Sequence, residues 1–170
     1  MTQPGSGLSA ENVVFGILAL VMVIAAFRLV TTQNVVRAAL FLAIVLAGAA
    51  GLFILLAAEF VAWVQVLVYI GAVVVLLLFG VMLTRAPIGK ESSLDNDQRS
   101  IAAIVALFLL GSLGAVLIDA FRDERLVVGS VVRAADLGDS FLGPYVVPFE
   151  VSSVLLLAAL VGAVAMARRD

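Results

Sequence analysis

The sequence predicts an all-α, polytopic membrane protein with five transmembrane helices. Of its 170 residues 64% are hydrophobic and 13% charged, where a soluble domain is about half apolar and about a quarter charged. Five stretches are free of charge, and a hydrocarbon core about 30 Å thick takes roughly 20 apolar residues in helical form. Inside these stretches runs such as Val73 to Phe79 are apolar on every side, whereas the strands of a membrane barrel alternate with period two. Backbone groups in lipid must pair within their own segment, which leaves helix as the conformation of such a run.

The first stretch runs from Asn12 to Phe27, and Leu29 and Val30 lengthen it to about residue 30 if Arg28 snorkels. Met1 to Asn12 lacks the basic start and small-residue cleavage site of a secretory signal, so a retained span is expected. The second stretch is Ala38 to Ala58, where Ala47, Gly48, Ala49, Ala50 and Gly51 make a nearly smooth surface for a neighbouring helix. The third, Phe60 to Thr84, is the longest. The fourth is Ser100 to Ile118, and the fifth, Val151 to Ala167, extends back to about residue 146 through Tyr145 to Phe149.

Residues 1–170 read as a single membrane domain with an inner loop at 85–99 and an outer loop at 119–145. The inner loop carries Pro87, Gly89 and the run Ser92 to Asp97, turn-forming residues that predict a mobile or partner-ordered connection. In the outer loop Leu126 to Val132 is a β-branched run too short to span; a strand and a segment at the membrane interface both fit it. No repeat of 20 to 50 residues is visible, and five spans do not divide into inverted halves.

An odd number of spans puts the termini on opposite sides, and the placement of Lys and Arg selects which. Arg28, Arg37, Arg85, Lys90, Arg99, Arg168 and Arg169 fall on one side, and Arg122, Arg125 and Arg133 on the other. The first side is expected to be cytoplasmic, with the N-terminus outside and the C-terminus inside.

Composition also excludes chemistry. There is no Cys and no His, so thiolate zinc sites, iron–sulfur ligation and selective transition-metal sites have no ligands here. A net charge of −2 without a basic cluster gives no footprint for nucleic acid. An ionisable residue inside the membrane is the usual pointer to an ion path, and none lies deep within a span. Glu59, between the second and third stretches, has two readings: a solvated acid favoured by the dipole at a helix start, or a charge facing a partner or an ion route. The polar cluster within the spans is Trp63, Gln65 and Tyr69, followed by Gly71. Gln65 and Tyr69 are four apart and share one face. An amide in hydrocarbon needs a partner, so interhelical hydrogen bonding and proton relay are both open. Tyr69 lies about 15 Å along the helix, too deep for an interfacial anchor. Gly48, Gly51, Gly71, Gly80, Gly111, Gly114 and Gly162 are expected to be packing notches.

The stretch Glu59 to Phe79, and above all Val66-Leu67-Val68-Tyr69-Ile70-Gly71-Ala72, resembles the third-helix signature of the subunit J, or chain 6, family of the bacterial proton-pumping NADH-quinone oxidoreductase, respiratory complex I. Tyr145 to Leu157 resembles the entry to that family's fifth helix. Two departures stand out: Asn34-Val35-Val36-Arg37 replaces an Asn-Pro-Val-His turn, and Gln65 stands where some members carry Glu.

The resemblance implies a multi-pass subunit of the inner (plasma) membrane, in the membrane arm beside subunits A, H, K and N, with quinone handled by neighbours. It implies no flavin, cluster or nicotinamide in this chain; FMN and iron–sulfur clusters are expected in partner subunits, and no catalytic activity is expected of the chain alone. It further implies a π-bulge in the third helix near Tyr69 to Val75, switching as electron transfer is coupled to proton translocation. The candidate coupling residues are therefore Tyr69, Gly71, Val75, Gln65 and Glu59. A related ferredoxin-dependent oxidoreductase, hydrogenase or antiporter assembly, or a membrane scaffold, is the alternative. An autonomous transporter would call for midplane charges or paired broken helices.

Overall fold

The computed structural model describes residues 10–83, 98–122 and 132–168. Among them are five helices long and apolar enough to cross a membrane, and no strand. We number the helices α1 (Ala10–Thr31), α2 (Val35–Leu55), α3 (Glu59–Leu83), α4 (Arg99–Phe121), α5 (Ala134–Leu142) and α6 (Val146–Ala167). Helix α5 is short and does not span. The chain forms two compact units divided between Val131 and Val132, and each is described by itself.

In the first unit α2 is the central element, packed against α1 on one side and α3 on the other. Helix α1 turns Leu18, Met22, Ala25 and Leu29 inward at spacings of four, three and four, the stripe an α-helix produces. Met22 lies over Gly48, where a Cβ would overlap its Cγ and stand 2.7 Å from its sulfur; Leu18 lies over Gly51, with Cδ1 3.0 Å from such a Cβ. These two glycines are filled notches. Gly80, Gly111, Gly114 and Gly162 have nothing within 4 Å to meet a Cβ, so the notches expected there have no occupant among the described residues.

The turn into α2 is built by side chains. Thr31 Oγ1 donates to the Phe27 carbonyl at 2.8 Å, and the Arg37 N–H donates to Asn34 Oδ1 at 3.1 Å. Asn34 thus caps α2, and the helix starts at Val35, three residues ahead of the charge-free stretch, with Arg37 in its first turn. Helix α2 ends in a Schellman motif. Ala58 N–H donates to Phe53 O at 2.9 Å and Ala57 N–H to Ile54 O at 3.0 Å, with Ala57 at φ 56°, a left-handed position where glycine is the usual residue.

Helix α4 leaves its described side chains exposed apart from half-buried Gly114. The stretch expected as inner loop falls on residues outside those described up to position 97, as does the β-branched run up to Val131. In the second unit the remainder of the expected outer loop contains α5, where Asp136 reaches back to the N-cap residue: its Oδ2 accepts from the Arg133 N–H at 3.0 Å. Phe141 of α5 stacks on Phe149 of α6, ring centroids 6.1 Å apart and planes at 27°. Ser152 and Ser153 both donate to the Phe149 carbonyl, at 2.8 and 3.0 Å, so neither hydroxyl faces lipid unpaired.

Candidate functional site

Helix α3 is not uniform. Glu59–Val64 is α-helical, Gln65–Val74 is a π-helix of 10 residues, and Val75–Leu83 returns to α. A π-helix pairs residue i with i+5 and is uncommon, usually limited to a turn at a functional position. The side chains record the change of period. The face turned to α2 carries Ala62, Gln65, Ile70, Val74 and Leu78, spaced three, five, four and four; the step of five falls inside the π segment.

That step parts two residues an α-helix would keep together. Gln65 is 9% exposed while Tyr69 is 48% exposed, and Ile70 takes the inward place that Tyr69 would occupy at α spacing. The expectation of a shared Gln65–Tyr69 face fails here because the local period is not 3.6. Ile70 and Val74, which complete the buried face, were not among the sequence candidates; their apolar side chains carry no signal until the register is known.

No described residue forms a hydrogen bond with the Gln65 amide. Between Asn12 and Arg28 on α1, and after Arg37 on α2, there is no polar side chain to offer one. The buried amide therefore sits in an apolar packing. Gly71 lies inside the π segment and is exposed. A Cβ there would stand 3.5 Å from the Val66 carbonyl, an ordinary contact, with nothing else nearby. Val75, the first residue of the returning α-helix, is exposed.

Glu59 is the first residue of α3 and exposed, and it stands apart from Gln65, at the rim of a cleft of about 400 Å³ lined also by Ala50, Ile54, Ala62, Trp63 and Val66. The cleft is apolar but for that carboxylate. Trp63, 66% exposed, points its ring outward near this end of the span, where tryptophan favours the membrane boundary. The candidates thus divide: Gln65, Tyr69, Gly71 and Val75 belong to the register change, and Glu59 to the helix start.

Residues 25–166, which include all of this segment, match the family of NADH-ubiquinone/plastoquinone oxidoreductase chain 6. The chain belongs to that family. It is 42% identical to the F(420)H(2) dehydrogenase subunit J of Methanosarcina mazei over all of this chain and 98% of that protein. It is 38% identical to NAD(P)H-quinone oxidoreductase chain 6 of Leptolyngbya boryana, over 94% of this chain and 81% of the relative. The Synechocystis chain 6 protein gives 38% identity over 94% and 82%. In this chain 6 family member the matched region takes in α2, α3, α4 and most of α6, so the register change lies within the part shared with the family.

Proposed function

We propose that the chain is a membrane-arm subunit of a quinone-reducing respiratory oxidoreductase, and that α3 helps couple electron transfer to proton translocation by changing register. The observation that carries this reading is the π segment Gln65–Val74 with its five-residue step. Returning to α spacing would exchange Ile70 for Tyr69 beside Gln65, bringing a phenol and an amide four residues apart onto one face at mid-span. The buried face would change from apolar to hydrogen-bonding without any group in it gaining or losing charge.

In this reading the partners are the other membrane subunits, by resemblance A, H, K and N, in the inner (plasma) membrane, with the N-terminus outside. FMN, iron–sulfur clusters and the quinone site belong to those partners, since this chain has neither Cys nor His to ligate a cluster. The electron donor is likewise a property of the partner module: relatives named for F(420)H(2) and for NAD(P)H both align over nearly all of this chain. Copurifying the assembled complex and following quinone reduction with each donor in turn identifies the module.

The register change is tested by Gly71→Val in the assembled complex. Glycine weakens a helix by about 1 kcal/mol relative to Ala, so a bulkier residue at this point stiffens the segment. The expected result is a complex of normal composition with slower quinone reduction or fewer protons moved per electron. Poor assembly with normal turnover and pumping in the surviving complex would make the glycine structural and the switch wrong.

A further inference from the structure

Helix α5 has no part in the coupling segment, yet its residues are sorted by character. At 100° per residue Leu137, Phe141, Ala134, Gly138, Leu142 and Ala135 follow one another around one arc of the helix, and Asp139, Asp136 and Ser140 fill the opposite arc. The apolar arc is incompletely covered: Leu142 is 75% exposed and Phe141 40%.

The height of α5 along the span is fixed by its contact with α6. Phe141 is stacked on Phe149, which lies at the end of the first turn of α6, about 4.5 Å along its axis at 1.5 Å per residue. The next residue, Glu150, is exposed, and a carboxylate does not enter hydrocarbon without a large cost. Glu150 therefore marks the headgroup level, and the stacked phenylalanines lie beside it. Tyr145, exposed at the junction of the two helices, is the kind of residue that gathers at this level, a ring with a polar tip. The link itself is tight. A Cβ on Gly143 would stand 2.7 Å from the Asp139 carbonyl, closer than such atoms approach, so the turn at this point depends on glycine.

We infer that α5 is an interfacial helix, its apolar arc seated among lipid acyl chains at the N-terminal end of α6 and its acidic arc turned to water. The occupant of the uncovered arc is lipid rather than a partner protein, because the arc continues the apolar surface of a membrane-spanning helix at the depth where such helices lie, about 5–10 Å into the headgroup–acyl boundary. The polar arc holds Asp136 and Asp139 and no basic residue, so seating rests on apolar area and needs no anionic lipid.

The full chain holds a single Trp. With Trp63→Phe as background, Leu142→Trp and Asp139→Trp are each reconstituted into phosphatidylcholine vesicles whose acyl chains carry bromine near the glycerol end or near the methyl end. Fluorescence at position 142 should be quenched at least about twofold more than at 139, and most strongly by the shallow bromines. In the assembled complex, a benzophenone amino acid at position 142 should crosslink to lipid. Equal quenching at the two positions, strongest quenching from the methyl end, or a crosslink to another subunit would overturn the assignment.

Discussion

Replacing Gln65 by Leu separates what the amide does within this chain from what it does in the assembly. The side chain is 9% exposed, the helix it packs on, α2, carries no polar side chain after Arg37, and no described residue hydrogen-bonds it. A buried polar group left unsatisfied costs about 1–3 kcal/mol, and Leu fills a similar volume without that cost. Gln65→Leu should therefore stabilise the isolated chain by about 1–3 kcal/mol, roughly five- to 150-fold in the unfolding equilibrium. The measurement is denaturant unfolding of the purified chain in mixed micelles, followed by circular dichroism. In the complex the same substitution should lower coupled turnover, because the proposed α register needs the amide beside Tyr69. A destabilised isolated chain would refute the reasoning, since it would mean the amide already has a partner that Leu cannot replace.

Three other outcomes follow from particular contacts. Gly48→Ala should destabilise the isolated chain by about 1–3 kcal/mol through overlap with Met22, while Gly111→Ala, with nothing within 4 Å, should leave it unchanged or slightly more stable; equal unfolding midpoints for the two would dissolve the distinction between filled and open glycines. Ala57→Gly should raise stability by up to about 1 kcal/mol by relieving the left-handed position at φ 56°, read as a shift in the same unfolding curve. For orientation, a cysteine at Ser92 should be protected from an impermeant thiol reagent in intact cells and one at Ser130 should react, the reverse pattern contradicting the distribution of Lys and Arg.

The five spans were legible because charge-free runs of this length have one conformation in lipid. Their ends were less so. Helix α2 begins at Val35 because the Asn34 side chain caps it, and a search for uncharged residues steps past Arg37. Helix α5 is not evident from the sequence although its signal is present: Leu137 and Phe141 four apart, with Asp136 and Asp139 opposite, a nine-residue pattern easily lost within the longer loop between spans. The polar residues of α3 were found, but their mutual facing was not. Residues alone suggested that Gln65 and Tyr69 share a side, which assumes a period of 3.6; the wide turn came only from the resemblance, since nothing local in Val66 to Val74 beyond one glycine distinguishes π from α. The glycines show the same limit: the sequence marks where small residues stand, and only packing tells that Met22 and Leu18 fill two of the notches.

The wide turn in α3 also bears on how the gene can change. A π segment takes up at least one residue beyond what an α-helix of the same angular advance requires, and each residue of an α-helix advances by about 100°. Deleting one residue between Val66 and Val73 can be absorbed by conversion to α, leaving Ala62 and Val74 on the face they already occupy. A deletion between Val75 and Leu83 has no such slack and would turn the two halves of the helix by about 100° against each other. A single-residue gap within this stretch would thus keep the packing on α2 while removing the register change, whereas one just beyond it would disturb the packing itself, so chain length and helix facing are separable there.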